Sequence, residues 1–408
     1  MISRRQILLA ASGVLAAPVL AHTSAEAAIA PHRVTALDLL PVRATGRTVW
    51  LFVRLRTDTG LTGLGEASDA FGFANTTAAN AATMRSELQG FFSMIEGRSP
   101  LEIEAYRQRG DAVARKGLVA ATAFSAIEQA LWDLAGQVLD VPTYTLFGGK
   151  VRDRLPVYAN VNRATDPRTP AGFAAAAVRA TRDGFRAIKA APFDGFPPPD
   201  SPAKQIEAAI ELGIDSVAAM REAVGPTVAI MIDCHSFFTV DQAVGVARRL
   251  EPQNLAWYEE PVAPDRVDET LAIKRQIRQP MSGGELLFGV AGFAPLVERR
   301  AFDVIMPDVK HCGGLLELTH IAAMAASAGI MVAPHNPSGP ISTAASLQVC
   351  AGMDNVNFLE LQYGEVERRS EVLRPEERFL NGSIEVSNRP GFGIELNEDA
   401  IRKRSAPL

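Results

Sequence analysis

Cysteine is scarce in this chain. Only Cys234, Cys312 and Cys350 occur among 408 residues, and no two form a CxxC pair. That excludes a disulfide-built scaffold, a zinc ribbon and a thioredoxin-like redox motif. All three cysteines are expected to be buried apolar residues, with Cys234 turned away from its polar neighbours Asp233 and His235. An excess of one charge is also missing. The 41 Lys and Arg face 46 Asp and Glu, a formal net charge of −5. A broad nucleic-acid-binding face is therefore excluded. There is no Walker A loop, no three-glycine dinucleotide fingerprint, no HExxH and no GxSxG. Nucleotide-dependent, zinc-protease and serine-hydrolase chemistries have no support.

The apolar run at residues 7–20 is shorter than the roughly 20 residues that span a bilayer. It follows the paired arginines Arg4 and Arg5 and precedes the A-x-A site Ala25-Glu26-Ala27. Residues 1–28 are expected to be a cleaved export signal of the twin-arginine type, which would place the mature protein in the periplasm with no membrane attachment.

After the leader, hydrophobic content of 47% is ample for a large core. Residues 31–150 read as an α+β domain. Val49-Trp50-Leu51-Phe52-Val53-Arg54-Leu55 is a strand, the turn Thr57-Asp58-Thr59-Gly60 reverses it, and helical patterns begin near Ala78. Phe124, Ile127, Leu131, Leu134 and Val138 recur at steps of three and four, which predicts an amphipathic helix. Residues 151–374 change character. Short apolar runs (YANV, RAIKA, VAIMID, LAWYE, PMSGG, DVIMP, GIMVAPH, NFLE) alternate with Ala-rich helical stretches. This predicts a (β/α)-barrel with a parallel sheet, and an irregular Pro-rich loop at residues 192–202 over its mouth. Residues 375–408 are turn-and-strand in style and are expected to return to the N-terminal domain.

Barrel active sites lie at the C-terminal ends of the strands. Asp233, Glu259 and Glu285 stand at equal intervals along the chain, each after an apolar run. Three successive parallel strands ending in carboxylates make a cage for a hard cation such as Mg²⁺. The other predicted strands end in Lys189, Asp308, His335 and Glu360, and His235 follows Asp233 by two. Two residues apart on a strand share a face, so His235 is expected to join Asp233 in the mouth. Taken singly, Lys189 reads equally as a surface lysine, His335 as a core histidine and Glu360 as a helix cap. One titratable group per strand end would be costly as packing, and together they indicate a site.

The motifs TGLTGLGEA, AIEQALWDLAGQVLDVPTYTLFGG, IMIDCH, WYEEP, GGE, MPDVKHCGG, APHNPSGPIS and PGFGIEL span nearly the whole chain beyond the leader. In this order they resemble the enolase superfamily, in its mandelate-racemase-like branch. The resemblance implies an α/β fold: a modified (β/α)₇β TIM-like barrel with an α+β capping domain. It implies Mg²⁺ on Asp233, Glu259 and Glu285, with Glu260 facing away, and a homo-oligomer. The shared chemistry is abstraction of a proton next to a carboxylate, with the enediolate stabilised by the cation and nearby donors.

Asp308 with His335 matches the His–Asp dyad of the racemase-like branch and suits a general base. The K-x-K pattern of the second strand is incomplete: Lys189 fits its first position, but Ala191 occupies the second. Lys189 is therefore expected to bind a substrate carboxylate. Asp-x-His at Asp233 and His235 resembles the acid-sugar dehydratases of the galactonate type, where the histidine protonates the leaving β-hydroxyl. Glu360 resembles a glutamate that hydrogen-bonds the enediolate oxygen. The expected function is dehydration of an acid sugar. A cycloisomerase or epimerase of a sugar acid or lactone, and a non-catalytic sugar-acid binding protein, stand as alternatives. Segments 41–49 and 69–77 are expected to form the lid. Arg43, Arg47 and Phe71 on them, and Lys310 and His311, have no assigned role.

Overall fold

A computed structural model of the chain describes residues 32–72 and 77–406. The expected export signal lies outside these residues, as does part of the lid segment 69–77. Among the described residues no helix is long and apolar enough to cross a membrane.

The first domain begins with an antiparallel sheet of β1 (Val34–Arg43), β2 (Val49–Thr57) and β3 (Thr62–Glu66), in that spatial order. Three helices follow: α1 (Ala78–Phe92), α2 (Ile103–Ala114) and α3 (Leu118–Val138). β2 is apolar on both faces because both are covered. Val49, Leu51, Val53 and Leu55 pack with Met84, Leu88, Phe91 and Phe124 of the helices. Trp50 and Phe52 point the other way, to Ile341, Val372 and Leu373. This is the two-residue side-chain period of a strand read out as two separate cores.

α3 departs from the expected amphipathic pattern. Phe124, Ile127, Leu131 and Leu134 face the domain core. The polar stripe Thr122, Ser125, Glu128, Gln129 and Asp133 is buried as well, because it packs against the barrel. β3 lies so close to α3 that only glycine fits at two positions. A Cβ on Gly63 would sit 2.1 Å from the Ala130 carbonyl oxygen, and one on Gly65 2.0 Å from that of Ala126.

The second domain is a barrel of eight parallel strands: β4 (Arg154–Asn160), β5 (Ala187–Ala190), β6 (Ala229–Asp233), β7 (Trp257–Glu259), β8 (Met281–Gly283), β9 (Val304–Ile305), β10 (Met331–Val332) and β11 (Leu359–Gln362). β4 to β10 are neighbours in sequence order. β11 pairs with β4, and a parallel bridge from Val332 to Val356 closes the ring. Tyr158, Ala187, Met231, Trp257, Val304, Met306 and Ala333 fill the barrel interior. Their sequence neighbours, such as Val157, Ala159, Ile230 and Ile232, pack outward against the helices.

The interior layer sets the site. Lys189, Asp233, Glu259, Asp308 and His335 each follow an inward-facing residue by two, respectively Ala187, Met231, Trp257, Met306 and Ala333. The three cysteines are free and buried, and Cys234 belongs to the outward core as expected. The C-terminal segment first adds a hairpin (Phe379–Leu380 and Ser383–Glu385) antiparallel to β4. It then reaches β1, where Ser405 bridges Val42.

Candidate active site

Lys189, Asp233, His235, Glu285 and His335 line one cleft of about 270 Å³ at the C-terminal rim, together with Asp69, Asn160, Asn162, Arg163 and Asp194. Each of Asp233, Glu259 and Glu285 offers one carboxylate oxygen, and the three oxygens lie within 4.8 Å of one another. Nζ of Lys189 donates to Oε1 of Glu259 at 2.8 Å. It also lies 3.1 Å from Oε1 of Glu360 and 3.4 Å from Oδ2 of Asp233. Burial alone would lower the lysine pKa, but the carboxylates around it, Glu259 foremost, raise it well above the ordinary value.

The donor set fits a divalent cation. It is all oxygen, as hard cations prefer. Burial and the adjoining Asp233 carboxylate push Glu259 well above the usual carboxylate range. Burial would raise the Asp233 pKa too, but His235 and Lys189 hold it down at about 2, so the crowding of negative charge is expressed at Glu259. Oε2 of Glu285 is buried with no hydrogen-bond donor; its neighbour is Nε2 of His335 at 3.4 Å. Glu260 stays out of the cluster. Its carboxylate accepts from the Gly284 N–H at 2.6 Å, and burial with the Glu285 charge pushes its pKa to about 8.

His335 is held from behind. Its Nδ1 lies 2.6 Å from Oδ2 of Asp308. Burial would raise the Asp308 pKa, but Lys310, His311 and His335 hold it far below the usual range. Burial lowers the His335 pKa, yet Glu285 and Asp308 overcome this and raise it.

His235 reaches the mouth for a different reason from strand alternation. β6 ends at Asp233, and both His235 and Ser236 take positive φ, at 44° and 60°. The left-handed turn, not the pleat, swings the ring back over the strand end. There its Nδ1 lies 2.5 Å from Oδ1 of Asp194 and its Nε2 3.3 Å from Oδ2 of Asp233. These carboxylates raise its pKa well above the ordinary histidine value, against the opposing effect of burial.

Glu360 is fixed by two donors, Nδ2 of Asn160 at 2.6 Å and the Asn336 N–H at 3.0 Å. Asn160 and Asp194 were missed in the sequence; of the two barrel residues named there without a role, His311 lines the cleft and Lys310 does not. Asn160 had a usable signal: it ends the first barrel strand two residues after the inward Tyr158. Asp194 had none, since the Pro-rich loop has no period. Of the lid residues without a role, Phe71 packs against the first-domain core. Arg43 is exposed, with its backbone N–H on the Arg404 carbonyl.

Two buried glutamates of the first domain reach the barrel. Glu128 accepts from the N–H groups of Leu315 and Leu316 at 2.7 and 3.1 Å. These open the helix Gly314–Ser327, which follows Asp308. Glu66 accepts from Gly339 and Ser342 at 2.7 and 3.0 Å. Ser342 lies in the first turn of the helix Pro340–Cys350, which follows His335. A carboxylate at each helix N-terminus satisfies free backbone donors and complements the helix dipole.

Residues 21–148 match the family described as mandelate racemase / muconate lactonizing enzyme, N-terminal domain, and residues 172–400 match enolase C-terminal domain-like. The chain is 32% identical to a D-xylonate dehydratase of Haloferax volcanii over 89% of its length and 87% of that protein. It is 30% identical to a D-galactonate dehydratase of Variovorax paradoxus, over 86% and 90% of the two chains. Among solved structures, a mandelate racemase/muconate lactonizing enzyme from Jannaschia sp. CCS1 superposes with a TM-score of 0.82 at 28% identity, covering 92% of this chain and 98% of that one. With a capping domain over a parallel barrel and three carboxylates at its rim, the chain belongs to the enolase superfamily, in the mandelate racemase/muconate lactonizing enzyme family.

Proposed function

We propose that the protein is a Mg²⁺-dependent dehydratase that converts an acid sugar to a 2-keto-3-deoxy acid. The observation that carries this is a pair of separately oriented histidines on one cleft. His335 is held by Asp308 and His235 by Asp194, at 2.6 and 2.5 Å. Elimination of water needs a base for the α-proton and an acid for the β-hydroxyl, and here each has its own carboxylate partner. The D-xylonate and D-galactonate dehydratases to which the chain is similar support the same assignment.

Magnesium on Asp233, Glu259 and Glu285 would supply fixed positive charge against the substrate carboxylate. His335 takes the α-proton at Nε2, because Nδ1 is committed to Asp308. Asp308 then stabilises the imidazolium that forms. The electron pair left by the proton forms the C=C bond, and the β C–O bond breaks. His235, charged through its carboxylate neighbours, gives its proton to the departing hydroxyl, which leaves as water. The enol product tautomerises to the 2-keto acid. Lys189 adds positive charge at the carboxylate end. Glu360 is fully buried and does not line the cleft; it supports Lys189 through Oε1 at 3.1 Å rather than meeting the enediolate oxygen. Ala191 offers no base where a two-base racemase would need its second lysine.

The test is incubation of the Mg²⁺-loaded protein with a library of aldonates and aldarates, with semicarbazide detection of 2-keto acid. Product from at least one member is expected. Silence across the library would overturn the proposal.

A further inference from the structure

Lys310 has no place in the chemistry above. It is fully buried, 0% exposed, and it does not line the cleft, so it touches no substrate. Its Nζ lies 2.5 Å from Oδ2 of Asp308, the same oxygen that faces Nδ1 of His335 at 2.6 Å. Its backbone N–H donates to the other oxygen, Oδ1, at 2.7 Å. Both oxygens of Asp308 are therefore held by one residue.

The charged and titratable groups around this pair are few. From the barrel come His335 and His311. Nε2 of His311 lies 3.8 Å from Oδ2 of Asp308 and has no hydrogen-bond partner. Burial pushes His311 down to about 4, so it is neutral near pH 7. From the capping domain come Glu66 and Asp69, whose charges act on the Lys310 ammonium. Asp69 also faces Arg163 at 3.5 Å and accepts from the Ser338 hydroxyl. Lys310 is thus the permanent cation in direct contact with Asp308.

We propose that Lys310 is a positioning residue that keeps Asp308 ionised and so fixes the tautomer of His335. A buried carboxylate without a cation beside it takes up a proton. A protonated Asp308 would donate its O–H to Nδ1 of His335. The ring would then carry its own proton on Nε2, the nitrogen that must be bare to accept the α-proton. Lys310 blocks that rearrangement without entering the cleft. Its kinetic consequence rests on the proton abstraction proposed above; its effect on the tautomer does not.

The test compares Lys310→Met, Lys310→Arg and the double variant D308N/K310M, all Mg²⁺-loaded. Nitrogen-15 NMR of histidine-labelled protein, at a pH where the ring is neutral, reads the tautomer, and His335→Asn identifies the signals. The ring proton is expected on Nδ1 in the wild type and in Lys310→Arg, and on Nε2 in Lys310→Met. An unchanged tautomer in Lys310→Met overturns the proposal. On the fastest aldonate of the library, Lys310→Met should lower kcat by about 10–100-fold, with KM changed by less than about threefold and recovery in Lys310→Arg. A tautomer shift without turnover by any form of the protein would overturn the dehydratase proposal and leave this one standing. If Lys310→Met does not fold, D308N/K310M should, because the unbalanced anion is then gone. Failure of the pair to restore folding overturns the proposal.

Discussion

Oδ1 of Asp194 lies 2.5 Å from Nδ1 of His235, joining the Pro-rich loop after the second barrel strand to the turn after the third. Asp194 also accepts from Nδ2 of Asn162 at 2.8 Å through its other oxygen. The contact turns Nε2 of His235 toward the strand end, 3.3 Å from Oδ2 of Asp233. Replacing Asp194 with Ala should lower dehydration by about 10–100-fold while leaving exchange of the α-proton intact. The check is parallel measurement of 2-keto acid and of deuterium uptake from heavy water. Equal loss of both would remove His235 as the separate acid.

The two histidines should fail differently. His335→Asn is expected to lose both α-exchange and dehydration, by about 10²–10⁴-fold, because no base remains. His235→Asn should keep exchange and lose elimination. Substrate binding by calorimetry should persist in His335→Asn, which separates loss of chemistry from loss of the site.

Removal of the cation with EDTA should abolish turnover, and Mg²⁺ should restore it. Glu285→Gln should weaken Mg²⁺ binding and reduce the thermal stabilisation that added Mg²⁺ confers. At 100 times the dissociation constant that stabilisation is about 2.7 kcal/mol for a single site. A wild-type melting temperature indifferent to Mg²⁺ would contradict the triad as a cation site.

Asp133 gives a pH prediction outside the cleft. It is 1% exposed and accepts from the Leu64 and Phe392 N–H groups at 2.9 and 2.7 Å. Burial outweighs these donors and raises its pKa from 3.8 to about 7. The folded state therefore holds this proton more tightly than the unfolded chain. The associated stability is present below pH 4 and is lost as pH rises through 7. Its full extent is at most about 4 kcal/mol at about 1.4 kcal/mol per pH unit. Urea unfolding at pH 5 and pH 8 should show a smaller decline for Asp133→Asn than for the wild type.

The barrel was legible because its strands announce themselves as apolar runs, and because the period of two carries directly into the site. Reading two residues on from Ala187, Met231, Trp257, Met306 and Ala333 lands on five of the residues gathered at the rim. His235 was placed in the mouth by that same period and reaches it by another route, a turn with positive φ. Asp194 and Asn162 come from segments with no period, so only the folded loops bring Asp194 to His235 and Asn162 to Asp194. The apolar period of α3 predicts an amphipathic helix, and its polar stripe is buried too. Nothing local distinguishes a glutamate facing water from Glu128, which meets the backbone of a helix far along the chain.

Glu66 and Glu128 also bear on how this family could be re-engineered. Each makes a first-domain side chain the cap of a barrel helix, one after Asp308 and the other after His335. A chimera that exchanged the first domain to borrow another substrate range would exchange these caps too. If the donor lacked either carboxylate, or offered it an ångström astray, the graft would bring new recognition and a loosened base together. Successful grafts should therefore be sought among donors that present acidic groups at both positions, before any matching of the residues that meet the sugar.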